Sequence, residues 1–550
     1  MAKEFKVSFN NNTITVAEDT TYKEVSDVFK DQFDYDIILC IANNSLVDLG
    51  DTIKKDCEVI FYDRSSLVGS SVYNRSARFI LLLAVNNVLG DKAKLICHHS
   101  QDNGVYCTIE DAYINQDILD NIENEMYNIV SNDYRFEKIV VPRMDAIKFF
   151  KQNDEYDKVN VLKYISNTYI NLYRLHHTIG YFYGKMAYST KSINKFKLYF
   201  IKDNGFVMQL PDIFNPEVVL DYKHHEKVFD KFLEYTKWGR ELNVKNAADL
   251  NKIVSSGHIE DLISLAEVYF NRELSSLAEK IDKANVKMVL IAGPSSSGKT
   301  TMAKRLAVHL KSLGYNPHSI SIDDYFLDVN DRQKDKYGNY NFEGLDIVDV
   351  ELFNKHMNKL LNNEGVLLPS FNFVTGRREY KDNWLKLGDN DIIIIEGLHA
   401  LNDALTLTVL RDDKYKIYIS PLTQINIDNH THVHTSDVRK LRRIIRDKKS
   451  RGTSAEDTLK MWTNIQLGEV NNIFPYQDDV DSVINSALIY EIGVLKTYVE
   501  PLLFNVREDS MEYAESLRLI NFLRNFLPIP ADTIPSDSIL REFVGGSSFD

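Results

Sequence analysis

Between an apolar run and an amphipathic helix pattern lies Gly293-Pro294-Ser295-Ser296-Ser297-Gly298-Lys299-Thr300, and no other stretch restricts the fold as strongly. It fits G-x-x-x-x-G-K-[ST], a loop that cradles phosphate. Before it, VKMVLIA (286–292) has the continuous apolar character of a buried parallel strand. After it, Met302, Leu306, Leu310 and Leu313 recur at helical spacing from Thr301 onward, and Gly314 marks the stop. Glycines let backbone N–H groups turn inward, and the helix N-terminus adds positive potential. Lys299 is placed to reach the outer phosphates and Thr300 to ligate magnesium. A chance glycine-serine turn would lack the strand and helix on its two sides. The motif implies nucleoside triphosphate binding.

A chain of 550 residues has room for several domains, each with its own core. A hydrophobic share of 44% with 26% charged residues is ordinary for a soluble globular protein. No apolar stretch approaches the roughly 20 residues that span a bilayer. The opening MAKEFKVSF is not a signal peptide. Cys40, Cys57, Cys97 and Cys107 suggest no disulfide framework, so a cytoplasmic setting is expected. The net charge of −14 disfavours non-specific binding to nucleic acid or an anionic membrane.

Residues 1–62 alternate apolar and polar positions, then show a helical stretch near Tyr22–Phe33 and two more strand-like runs. Asn10-Asn11-Asn12 and Asn43-Asn44 are turn signals. This small α+β unit resembles the β-grasp module called TGS, which precedes the catalytic parts of threonyl-tRNA synthetase. Residues 65–225 resemble the next synthetase module, the editing domain, through RSARFILL (75–82), AKL (93–95) and DNGVY (102–106). That family places two metal-ligating histidines as H-x-x-x-H on a helix; Arg75 and Phe79 stand there instead. Its later C-x-x-x-H pair is missing too, since no cysteine follows Cys107. The resemblance therefore implies a non-catalytic relative. Cys97-His98-His99, Cys107 and His176-His177 could be metal ligands, but small core cysteines with strand-end histidines are the plainer use. A helical linker is expected over 226–285, with Leu262, Leu265, Ala266, Phe270, Leu274 and Leu277 as a packing stripe.

Downstream of the loop, HSISIDDYF (318–326) reads as a second strand ending in Asp323 and Asp324. An acid at that end of a strand beside a phosphate loop points into the nucleotide crevice. Adjacent residues face opposite ways, so one of the two reaches the substrate. A carboxylate there can take the proton of an attacking hydroxyl; its other use is as a helix cap. DIIIIEG (391–397) is a buried strand ending in Glu396, suited to hold magnesium near Thr300. RKLRRIIRDKKSR (439–451) puts Arg443 and Arg446 on one helical face, which a solvated basic helix would also do. His430, His432 and His434 alternate just upstream and are expected in an irregular segment rather than at a metal.

These motifs together resemble the uridine kinase and phosphoribulokinase family, over roughly 286–525. Asp323 matches the family's catalytic base and Tyr325 an aromatic beside it; Phe326 stands where tyrosine is usual. YNFEGLD (340–346) resembles YNFDHPD, so Glu343 takes the place of the aspartate that grips the ribose hydroxyls, with Asp346 as runner-up. PSFNFVTGRR (369–378) resembles the base pocket PVYDFVxHxR. There Phe371 replaces a tyrosine and Gly376 a histidine, leaving Phe342, Phe371 and Phe373 to sandwich a base and Arg377 to line the pocket. Three phenylalanines would otherwise be read as core. Arg443, Arg446 and Arg451 resemble the lid that closes over ATP; Thr453 replaces a further lid arginine.

The expected fold is α/β. A P-loop kinase domain (286–525), with a parallel sheet and helices on both faces, follows the β-grasp module, the editing-like domain and the helical linker. Residues 526–550 are expected as a frayed, proline-rich tail. The resemblance implies ATP and Mg2+ as cofactors. The nucleotide set is Gly293 to Thr301 with Arg451, and the metal set is Thr300 and Glu396. The reaction implied is γ-phosphoryl transfer to the 5′-hydroxyl of a nucleoside, with Asp323 as base and Lys299, Arg443 and Arg446 stabilising the moving charge. Alternative readings are a kinase of another hydroxyl compound, such as a sugar phosphate, or a nucleotide-switched tRNA-binding or regulatory protein. The partners expected are a small nucleoside and further copies of the chain, with no membrane; tRNA stays an alternative.

Overall fold

In the structure, a computed structural model describing residues 3–101, 103–202, 204–332, 344–372 and 375–549, the apolar run before the loop is the central strand of a parallel sheet. The site-bearing elements are β1 (Met288–Ala292), α1 (Lys299–Ser312), β2 (Asn316–Ser321), β3 (Asp391–Glu396), β4 (Lys414–Ser420), α2 (Thr435–Arg451) and β5 (Ser482–Asn485). The sheet order is β2-β3-β1-β4-β5, every pair parallel. All five residues of β1 are buried, as a strand covered on both faces requires. Registers pairing Ile291 with Glu396 and Ser321 with Glu396 bring the ends of β1, β2 and β3 together. Ligands of open α/β sheets bind at that edge.

The N-terminal strands form a five-stranded mixed sheet over 4–63, in which Glu4–Phe9 runs parallel to Cys57–Asp63 at its centre. Its helix Tyr22–Phe29 opens with a capping box between Thr21 and Glu24. A 23-residue helix, Leu67–Leu89, then packs among a four-stranded and a three-stranded antiparallel sheet. Helices Glu226–Glu241, Ala247–Ser255 and Ile259–Ala284 follow. On the last of these, Leu262, Ala266, Phe270, Leu274 and Leu277 are buried as expected. Leu265 is 52% exposed and leaves the stripe.

Two segments differ from the sequence expectation. Residues 426–432 are a short hairpin, Asn426–Asp428 with Thr431–His432, rather than irregular chain. It is anchored to the N-terminal half by Cys97 N donating to Asn429 O at 2.7 Å and Asn426 Nδ2 donating to Cys97 O at 2.7 Å. The C-terminal tail is not frayed: Ile529, Ile534, Ile539, Leu540 and Phe543 are all buried in the kinase-side core. Prolines and the closing Gly-Gly-Ser-Ser suggest loose chain, but apolar residues every few positions give the tail enough surface to bury. Among the described residues, no helix is long and apolar enough to cross a membrane, and no cluster of three or more His, Cys, Asp or Glu could hold a metal ion.

Candidate active site

The loop that joins β1 to α1 is shaped by close approach. A Cβ at Gly293 would sit 2.0 Å from Ile419 O on β4, and Gly298 has φ +88°, the left-handed region. Lys299 folds back on its own loop, Nζ donating to Gly293 O at 2.9 Å and to Pro294 O at 3.2 Å. Among the described residues, the buried hydroxyls of Ser296 and Ser297 have no hydrogen-bond partner. Orphaned donors around a helix N-terminus fit an anion.

Helix α2 grips this loop from the other side. Arg443 Nη1 donates to Ser295 Oγ at 2.5 Å, Arg439 Nε to Ser295 O at 3.0 Å and Arg442 Nη1 to Ser296 O at 3.4 Å. Each arginine also has a carboxylate: Arg439 pairs with Glu469, and Arg442 Nε donates to Glu491 Oε2 at 2.8 Å. Asp447, itself buried, gathers Arg443 at 3.0 Å, Arg446 at 3.2 Å and Arg451 at 3.5 Å. Glu469 also accepts from Ser295 N at 3.1 Å.

The acids face them. Thr300 Oγ1 donates to Glu396 Oε1 at 3.2 Å. Burial, with Asp323 nearby, pushes the Glu396 carboxyl up to about 7. Burial also raises Asp323 above the usual carboxylate range, although Lys299, Arg451, Arg446 and Arg332 pull the other way. Lys299 is lowered by burial, offset by Glu396 and Asp323. Both acids lie in the 3-10 turn Ile322–Tyr325 that follows β2, not on the strand as expected, and Asp324 turns aside to accept from Phe371 N at 3.1 Å. A hydroxyl, two carboxylates and a lysine beside an anion-binding loop are a donor set that fits a magnesium nucleotide.

The expected substrate residues divide. Tyr325 is fully buried, its hydroxyl 3.0 Å from His356 Nδ1 and its ring edge-on to Phe353; it is a core residue rather than a pocket wall. Phe326 lies 5.6 Å and edge-on from Phe371, with the Arg332 guanidinium 5.3 Å from both rings. Asp346 is exposed on the segment facing Arg332. Arg377 is exposed, whereas its neighbour Arg378 donates to Asp349 Oδ2 at 2.9 Å and to the carbonyls of Tyr325 and Phe326. Gly376 has φ +67°, and a Cβ there would meet Val329 Cγ2 at 2.8 Å, so a histidine on this backbone would be strained. Phe342, Glu343 and Phe373 lie outside the described residues.

Several site residues escaped the sequence reading. Arg439, Arg442, Asp447, Glu469 and Arg332 carry no motif spacing of their own. The tail adds one more. Glu542 Oε2 accepts from Thr301 Oγ1 at 2.7 Å, and a Cβ on Gly298 would meet Ile539 Cγ2 at 2.9 Å.

Comparison with known proteins defines the class. Residues 288–491 match the model of the family described as Phosphoribulokinase / Uridine kinase family. The uridine kinase of Borrelia duttonii (strain Ly) is 27% identical over 223 residues, 39% of this chain and 97% of that protein. The uridine kinase of Halobacterium salinarum is 29% identical over 173 residues, 31% of this chain and 67% of that protein. A probable cytoplasmic threonine–tRNA ligase of Enterocytozoon bieneusi is 28% identical over 218 residues, 38% of this chain; the chain spans 34% of that ligase. Among solved structures, a putative fructose transport system kinase from Silicibacter sp. TM1040 matches with 17% identity and a TM-score of 0.30, over 38% of this chain and 98% of that one.

Proposed function

We propose that the protein transfers the γ-phosphoryl group of ATP to the 5′-hydroxyl of a nucleoside. The observation that carries this is the convergence of Lys299, Asp323, Glu396, Arg446 and Arg451 around one phosphate loop, within a sheet whose family match is to uridine kinases. In this reading the loop N–H groups and Lys299 hold the outer phosphates. Thr300 and Glu396 would hold magnesium, which neutralises charge on the phosphate oxygens when bound. Asp323 accepts the proton of the attacking hydroxyl; the new P–O bond forms as the bond to ADP breaks. Arg443, Arg446 and Arg451, fanned on Asp447, stabilise the charge that moves onto ADP.

Phe326 and Phe371, with Arg332 across them, supply a flat-faced wall for a base. We propose further that residues 1–62 are a TGS-like module and 65–225 an editing-like module without metal, with 226–285 as linker, 286–525 as kinase domain and 526–550 as its packed tail. Arg75 and Phe79 in place of metal-ligating histidines support the loss of hydrolysis there.

The test is ADP release from ATP and magnesium across a panel of nucleosides and sugar phosphates. Turnover with nucleosides supports the reading. Silence with every nucleoside and turnover with a sugar phosphate would replace it with the sugar-phosphate alternative.

A further inference from the structure

A cavity of about 430 Å³, lined by no residue of the nucleotide loop, opens where the N-terminal sheet, the Leu67–Leu89 helix and the Tyr183–Lys185 segment meet the helix Tyr513–Leu523. Its described lining includes Arg75, Lys185, Arg518 and Arg524 and no aspartate or glutamate. Two of these charges are already answered. Lys185 Nζ lies 3.0 Å from Asp48 Oδ2, and Arg518 is paired with Asp437 and Glu515 at 2.6 and 2.7 Å.

Arg75 is not answered. It is 4% exposed, yet among the described residues no carboxylate lies within ion-pair distance. Its Nη1 donates to Lys185 O at 2.6 Å, while Nε has no acceptor. Burial and the nearby cations Arg78 and Arg518 push it down to about 10. Nor is the guanidinium free to swing out to water. A Cβ at Gly184 would lie 2.4 Å from its Cζ, and the Tyr183 ring lies 5.7 Å from it. A buried charge fixed in place without a counter-charge costs several kcal/mol. Such a residue is explained by an anion that arrives from outside.

Arg524 is exposed at the cavity wall, donates to Asn521 Oδ1 at 2.9 Å, and has no carboxylate in ion-pair range among the described residues. Two unanswered guanidinium groups match the two charges of a phosphate monoester, which a planar fork of donors suits. Leu46, Val72, Ile170 and Tyr181 line the same space and offer apolar surface to an organic group. From this geometry we propose that the cavity is a binding site for a small organic phosphate monoester, held by Arg75 and Arg524 and separate from the nucleotide site.

The experiment is calorimetric titration of the full chain with phenyl phosphate, benzoate and phenol, in wild type and in Lys299→Ala, Arg75→Met, Arg75→Lys and Arg524→Ala. Lys299→Ala separates this site from the nucleotide loop. The proposal expects saturable uptake of phenyl phosphate by wild type and Lys299→Ala, and no uptake of phenol. Affinity should fall at least about tenfold in Arg75→Met and several-fold in Arg524→Ala and Arg75→Lys. Arg524 lies at the surface, so its variant decides the matter if Arg75→Met does not fold. Uptake lost in Lys299→Ala but kept in the arginine variants would overturn the proposal, as would equal binding of benzoate or no saturable uptake at all.

Discussion

Two helices, α2 and Leu67–Leu89, each carry buried arginines and treat them in opposite ways. On α2, Arg439, Arg442, Arg443, Arg446 and Arg451 each have a carboxylate, from Glu469, Glu491 or Asp447. On Leu67–Leu89, Arg75 and Arg78 are buried, yet among the described residues neither has one. Arg78 instead donates to His432 Nδ1 at 3.3 Å. A paired arginine is held at a defined place and orientation before any ligand arrives, which a transition state needs. An unpaired one stores unfavourable energy that a bound anion relieves. The first arrangement suits chemistry and the second suits binding.

The largest expected effect lies on the paired side. Arg446→Ala should lower kcat by about 100-fold or more with little change in unfolding free energy, because its side chain serves moving charge. Steady-state kinetics beside a denaturant curve check this. Next comes Arg442→Met, which leaves the buried Glu491 without its cation. It should destabilise the chain by about 3–5 kcal/mol, read from chemical denaturation. Arg75→Met has no carboxylate to orphan and should leave stability unchanged or raised; a loss as large as that of Arg442→Met would erase the contrast between the helices.

Acidity sharpens the comparison at the metal side. Glu396 has a carboxyl raised to about 7, and only its ionised form holds a cation. Below that pH the proton competes, so apparent magnesium affinity should weaken by about tenfold per pH unit and level off above it. Magnesium titrations of turnover between pH 5.5 and 8.5 would show this, and a flat profile would contradict it. The smallest effect belongs to the tail. Glu542→Gln removes a negative charge bonded to Thr301, beside the phosphate loop. ATP should then bind about threefold more tightly, measured by equilibrium titration.

Local patterns were what the sequence made legible. The strand, loop and helix around Lys299, the acid just after β2 and the acid ending β3 each announce themselves in contiguous sequence. What escaped depends on distant partners. Arg439 and Arg442 read as one basic face, but Glu469 and Glu491 turn them inward. Tyr325 sits where an aromatic is expected at the substrate, yet the 3-10 turn Ile322–Tyr325 directs it to His356 while Phe326 packs on Phe371. The tail was misread because its prolines were weighed and its isoleucines were not. Ile539 packs where Gly298 leaves room, a relation between positions 241 residues apart that no local pattern shows.

In the proposed reaction Asp323 acts on a hydroxyl at a nucleotide site built by Lys299 and α2. The most direct measurement is single-turnover ADP formation by wild type and Asp323→Asn, alongside binding of a fluorescent ATP analogue to both. The expected result is analogue binding within a few-fold of wild type and a chemical step slowed by about 100-fold or more. A variant that binds the analogue and turns over at the wild-type rate would contradict the account.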